Sequence, residues 1–223
     1  MPLEDAAGAA GQPPDDPARL PEPRRLTDAR TMRALAHPVR IAIIEVLKVA
    51  GPMTATELGE EIGESPTTCS FHLRQLAKYG FVEEAGGGKG RARPWRLSHI
   101  GFSYSDVHDD PETEIAAGAL SQMVRERQLD RYLAWQESRR SYPKEWREAA
   151  NDAELLFYLT AEELEQLNAD VLTLLRSRYR ERVTDPSRRP AGAIPVEVLM
   201  FSFPVTPPPT DTQTPSDTQQ IGD

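Results

Sequence analysis

Apolar residues recur three and four positions apart through most of the chain, and the prolines, glycines and capping residues between them mark helix ends. Thr27 and Asp28 begin a helix that takes in Met32 and Leu35. Pro38 starts another, carrying Ile41, Ile43, Ile44, Val46 and Leu47. Thr54 and Glu57 form a capping box, Leu58 and Ile62 follow at helical spacing, and Gly63 supplies the left-handed residue that ends a helix of about two turns. Ser65 caps the next helix and Pro66 sits in its first turn, where a missing N–H costs nothing. Cys69, Leu73 and Leu76 then form one apolar stripe, and Gly80 stops the helix. Residues 81–84 and 94–97 read as two strands joined by a flexible loop, Gly86-Gly87-Gly88-Lys89-Gly90-Arg91-Ala92-Arg93. Two helices across a tight turn, followed by a hairpin, are the element order of a winged helix-turn-helix.

The face opposite the apolar stripe carries Thr67, Ser70, Phe71, Arg74 and Lys78, with Thr68, His72 and Gln75 on its flank and Ser65 at its start. These residues can exchange hydrogen bonds with base edges and phosphates, and none is acidic. Lys89, Arg91 and Arg93 at the loop tip suit a phosphate backbone or a minor groove. The net charge of -9 runs against nucleic-acid binding until it is localised. From residue 65 to residue 97 six cations face only Glu83 and Glu84, so the acidity lies elsewhere and the basic surface would be turned toward DNA.

His37-Pro38-Val39-Arg40 at a helix start, then Ser70-Phe71-His72-Leu73-Arg74-Gln75-Leu76 and Tyr79-Gly80-Phe81-Val82, resemble the ArsR-type winged-helix regulators of bacteria over residues 28–100. The resemblance implies a homodimeric transcriptional regulator that places the helix at 65–79 in the major groove of double-stranded DNA. Metal-sensing members carry a cysteine pair in the helix before the recognition helix, or His and Asp ligands on a later dimerisation helix. Here the first position reads Glu57-Leu58-Gly59-Glu60-Glu61, without cysteine, which implies a member that does not sense metals.

The second half changes character. Asp109-Asp110-Pro111-Glu112 opens a helix with Ile115, Ala119, Leu120, Met123 and Val124 at three-to-four spacing, extended to about residue 139 by Leu129, Tyr132, Leu133 and Trp135. In the resembled family a helix here packs against its copy in the second subunit. Residues 141–151 read as a connection, and Leu155-Leu156-Phe157-Tyr158-Leu159 as a strand. Thr160 and Glu163 form a second capping box before a helix with Leu164, Leu167, Val171, Leu174 and Leu175 on one face, and residues 196–203 read as a further strand. Strand, helix and strand suggest a crossover unit whose strands pair with the wing sheet or with the other subunit. Trp135, Trp146, Phe157, Tyr158, Phe201 and Phe203 line either a core or a small-molecule pocket, so this half is an effector-sensing or a structural dimerisation module.

The expected fold is therefore mainly α with a small β component. Residues 26–105 form the winged helix-turn-helix and 106–203 a helical α/β dimerisation or effector region, between disordered tails at 1–25 and 204–223, which are rich in proline and polar residues. Enzymatic chemistry finds no footing. The glycine run around Lys89 lacks the spacing and the following Ser or Thr of a phosphate loop, and His37, His72, His99 and His108 never fall at i, i+4. Cys69, the one cysteine, lies on the apolar stripe, where it acts as a small hydrophobe; no disulfide, cofactor or metal is expected. Without a signal sequence or a membrane span, the expected place is the cytoplasm. The expectation is a sequence-specific DNA-binding regulator; the alternative is a winged-helix protein-interaction module without specific DNA readout.

Overall fold

The computed structural model describes residues 23–86 and 93–207. Lys89 and Arg91 at the wing tip, and the expectations placed on 1–22 and 208–223, lie outside the described residues. The chain is mostly helical, with a small sheet component: β1 (Arg24–Arg25), α1 (Ala29–Leu35), α2 (Pro38–Ala50), α3 (Ala55–Ile62), α4 (Pro66–Lys78), β2 (Val82–Glu84), β3 (Trp95–Leu97), β4 (Phe102–Ser103), α5 (Pro111–Ser138), α6 (Lys144–Ala149) and α7 (Ala161–Thr184). No described helix is long and apolar enough to cross a membrane.

The helix starts are the ones local chemistry dictates. Asp28 caps α1 by accepting from Thr31 N, His37 Nδ1 caps α2 by accepting from Val39 N at 3.2 Å, and Asp110 caps α5 by accepting from Thr113 N at 3.0 Å. Thr54 and Glu57, and Thr160 and Glu163, form full capping boxes. The core they enclose takes Met32 and Leu35 from α1, Ile43 from α2, Leu58 from α3, and Cys69, Leu73 and Leu76 from α4, all fully buried. Each large side chain so buried contributes about 1.5–3 kcal/mol relative to exposure. The antiparallel pair β2–β3, in the register Val82 to Leu97, forms the wing stem, and Trp95 reaches back to Met53 through a pair of backbone hydrogen bonds.

The chain joins this domain earlier than the boundary at residue 26 expected from sequence. Arg24–Arg25 pairs in parallel with Phe102–Ser103, Leu26 is buried beside them, and the Arg24 guanidinium lies 5.4 Å over the Phe81 ring and donates to the Tyr79 carbonyl. A two-residue parallel pair between remote segments leaves no periodic signal, which is why this segment read as tail.

Helix α5 runs as expected, but only its first half is covered. Thr113, Ala116, Ala117, Leu120 and Ser121 are buried, and this half packs on α1; Ala116 and Ala117 are small enough to let the two backbones approach. Beyond it, Leu129 and Leu133 are exposed. Arg127 and Arg131 both reach back to Glu45 on α2, and Arg131 also binds Glu197 with Nε and Nη2 at 2.9 and 2.6 Å. Residues 141–151, expected as a bare connection, hold α6, a short helix begun after Pro143.

Two expected strands do not form. Residues 155–159 and 196–203 are without regular structure, no crossover unit is built, and neither segment joins the wing sheet. Strand propensity describes a side-chain surface, whereas a strand exists only where a second backbone accepts its hydrogen bonds. The described part of a single chain offers none here.

Candidate nucleic-acid interface

The turn between α3 and α4 is built from backbone. Gly63, at φ 73°, ends α3, and the Glu64 N–H returns to the Gly59 carbonyl at 3.0 Å. Gly59 itself is buried, and a Cβ there would lie 2.6 Å from the Glu64 carbonyl oxygen and 3.4 Å from Pro66 N. Only glycine lets the two helices meet this closely. A glycine inside a short helix is the sequence signal for such a close approach.

Helix α4 then presents its faces at fixed angles. Cys69, Leu73 and Leu76 point into the core, and Thr67, Phe71, Arg74 and Lys78 form an exposed stripe at i, i+4, i+7 and i+11. Thr68, Ser70 and Gln75 flank it, half-buried, and Ser65 is exposed at the N-cap. Ser65 Oγ accepts from Thr68 N at 3.0 Å and lies 2.8 Å from Thr68 Oγ1, so these two hydroxyls already have partners in the cap. Phe71 is 48% exposed, a large ring left in solvent at the centre of a polar stripe. No carboxylate lies on this face of α4.

His72, placed by sequence on the flank of the same surface, is only 7% exposed and is withdrawn from it. Its Nδ1 accepts from Arg40 Nε at 3.3 Å, and its ring lies 4.5 Å from that of His37. Burial and the Arg40 charge hold His37 below its ordinary pKa, and burial, the neighbouring His37 and Arg40 do the same for His72, which favours two neutral rings propped between α2 and α4. Position 72 lies at the border of the two faces, where helical spacing alone does not separate flank from core. Arg40 had no role assigned from sequence. Besides His72 it binds the Ala34 carbonyl, and so ties α4 to the α1–α2 junction. Cys69 is buried, and desolvation pushes its thiol above the usual range, which disfavours the reactive thiolate.

The wing stem is less basic than its sequence suggests. Arg93 binds Glu84 through both carboxylate oxygens, at 3.1 and 2.8 Å, and Arg96 binds Glu83 at 2.7 Å across the register pair that joins them. A count of charges along the chain treats these groups as independent, but the hairpin sets them opposite one another. Exposed pairs of this kind are worth about 0–1 kcal/mol, so a phosphate can replace the carboxylate on Arg93. The aromatics of the second half do not close a shared pocket in the described chain. Trp135 and Trp146 are half-buried, with Arg139 lying 5.5 Å over Trp135, while Phe157, Tyr158, Phe201 and Phe203 stand exposed. Among the described residues no group of three or more His, Cys, Asp or Glu side chains converges as metal ligands.

The comparisons with known proteins bear on the same stretch. Residues 35–85 match the family model of a helix-turn-helix domain. The match spans α2, α3, α4 and the first wing strand, and it does not discriminate ArsR-type regulators from other helix-turn-helix proteins. No curated protein matches the chain. Among solved structures, the heme sensor protein PefR in complex with heme and carbon monoxide is 16% identical, with a TM-score of 0.28, over 69% of this chain and 83% of that one. PefR from Streptococcus agalactiae in complex with heme is 15% identical at the same TM-score, over 69% and 82%. Likenesses this loose bear on neither fold nor ligand.

Proposed function

We propose that this protein is a cytoplasmic, homodimeric, sequence-specific DNA-binding transcription regulator, a relative of the ArsR-type proteins that senses no metal and catalyses no reaction. In each subunit the stripe Thr67, Phe71, Arg74 and Lys78 enters a major groove, and the wing carrying Lys89, Arg91 and Arg93 grips the flanking phosphates. The observation that carries this reading is the acid-free exposed stripe on the second helix of a helix-turn-helix. Arg74 can bind a guanine edge bidentately, Gln75 can meet adenine, and Phe71 can contact a thymine methyl.

A rival reading draws on the paired wing cations. With Arg93 and Arg96 held by Glu84 and Glu83, the winged helix serves as a scaffold for protein contacts instead. Selection of bound duplexes from a random pool, repeated at several salt concentrations, separates the two. A regulator enriches one pseudo-palindromic site with half-sites about one helical turn, or a multiple, apart, and its affinity falls steeply with salt. No enriched sequence, and binding indifferent to salt, refutes it.

A further inference from the structure

Helix α7 carries 24 residues, and among the described side chains of the helix none is buried. Its apolar face, Leu164, Leu167, Val171, Leu174 and Leu175, is half-buried at best, with Leu167 and Leu174 open to solvent. The segments on either side are in the same condition. Residues 155–159 are five apolar or aromatic side chains in a row, and Tyr158 is 98% exposed; at 196–203, Val196, Val198, Met200, Phe201 and Phe203 are all exposed. Among the described residues, no backbone hydrogen bond joins 151–159 or 194–204 to another backbone group. An amphipathic helix owes most of its stability to what covers its apolar face, and apolar extended segments are ready templates for pairing with another chain. Exposed apolar surface on this scale marks an interaction site.

The charges of α7 identify the occupant. Its first half carries Glu162, Glu163, Glu165 and Asp170 and no cation; its second half carries Arg176, Arg178, Arg180 and Arg182 against Glu181 alone. Acids first and bases last also suit a helix dipole, but that effect fades within the terminal turns, whereas Asp170 and Arg176 lie in the middle of the helix. Two copies of α7 laid antiparallel bring each acidic half against the other's basic half, with Val171 near the two-fold axis. That is the self-complementarity an isologous interface requires.

We infer that α7 packs antiparallel against α7 of a second copy of this chain, and that residues 155–159 and 196–203 pair across the same interface. The helix alone is too small for a stable interface, which is why the extended segments are included. A 24-residue helix is roughly 36 Å long and about 10 Å across, a footprint of roughly 360 Å² per copy against the ~800 Å² per partner of a stable interface. The inference rests on the dimeric reading above and gives it a second interface besides α5.

Two charge-reversed full-length proteins test it. One carries Glu165→Lys and Asp170→Lys, the other Arg178→Glu and Arg182→Glu, positions that flank or lie on the apolar face at 100° per residue; the capping residues Thr160 and Glu163 stay intact. Each alone sets like charges against like at both ends of the interface, so light scattering should show a dimer at least tenfold weaker than wild type. Mixed in equal amounts, the two are complementary and should recover the wild-type dimer mass. A helix that was merely destabilised would not be rescued by mixing. If wild type and both variants dimerise with equal strength, or if mixing restores nothing, the α7 interface is refuted while the dimeric regulator still stands on α5. If wild type is monomeric and binds a single half-site, the dimeric reading falls with it.

Discussion

Gly59→Ala sets the close approach of α3 and α4 against ordinary helix propensity. In an unobstructed helix interior this substitution stabilises by about 0.8–1 kcal/mol, because alanine loses less backbone freedom on folding. At position 59 the added methyl would stand 2.6 Å from the Glu64 carbonyl oxygen and 3.4 Å from Pro66 N. Both neighbours are backbone, held by the Glu64-to-Gly59 hydrogen bond and by the Ser65 cap, so neither yields as a flexible side chain would. Overpacking of this kind costs about 1–3 kcal/mol. At the upper end of that range, where a backbone clash belongs, the net effect is a loss of about 1–2 kcal/mol. Gly118, within α5, is the control, since a Cβ there meets nothing within 4 Å and Gly118→Ala should gain the full ~0.8–1 kcal/mol. Urea unfolding followed by far-UV circular dichroism should therefore separate the two variants by roughly 2–3 kcal/mol. Gly59→Ala should also weaken DNA binding, because relief of the clash must tilt α4. Equal stabilisation by both substitutions would refute the reasoning, since it would show that the turn has room to spare.

Arg74→Ala should cost about 1–3 kcal/mol of affinity on the selected site and little on random duplex, whereas Arg93→Ala should weaken both alike and lower the salt slope by roughly one unit. Equal, small effects on both DNAs, measured by fluorescence anisotropy at several salt concentrations, would remove α4 from the groove. Stability should also depend on pH through His37 and His72, whose folded pKa values lie below the ordinary value. An imidazole of the unfolded chain takes up its proton near pH 6.5, so the stability these groups contribute is complete above about pH 6.5 and is lost as the pH falls below it. Urea midpoints of wild type and of His37→Asn with His72→Gln, compared at about pH 7.5 and about pH 5.5, should show a smaller acid loss in the variant; equal losses would clear the pair of this role. Zinc, nickel, cadmium or arsenite added to the protein–DNA complex should leave its affinity unchanged, and stoichiometric release by any of them would reveal an overlooked site.

The parts of the fold legible in the sequence are those whose rules are local. Thr54 with Glu57, Ser65 with Pro66, and Thr160 with Glu163 each fix a helix start from within four residues, and the stripe Cys69, Leu73 and Leu76 fixes the inward face of α4. What escaped depends on a second segment. Arg24 and Arg25 become strand only because Phe102 and Ser103 arrive beside them, and His72 goes inward because Arg40 and His37 wait for it. The apolar runs at 155–159 and 196–203 have the composition of strands, but composition does not supply the second backbone that a strand needs, and both stand without regular structure with most of their side chains exposed.

Glu45 receives Arg127 and Arg131 from α5, and Arg131 in turn holds Glu197. One guanidinium thus clamps the far C-terminal segment to the helix that buttresses α4. In the two-fold assembly proposed above, this link would lie between the contacts of the second half and the reading helix, and so would bear on how far apart two such helices stand. On that proposal, Glu197→Gln would relax the preferred spacing of half-sites before it changed affinity for a single half-site, because Glu197 lies away from the stripe on α4.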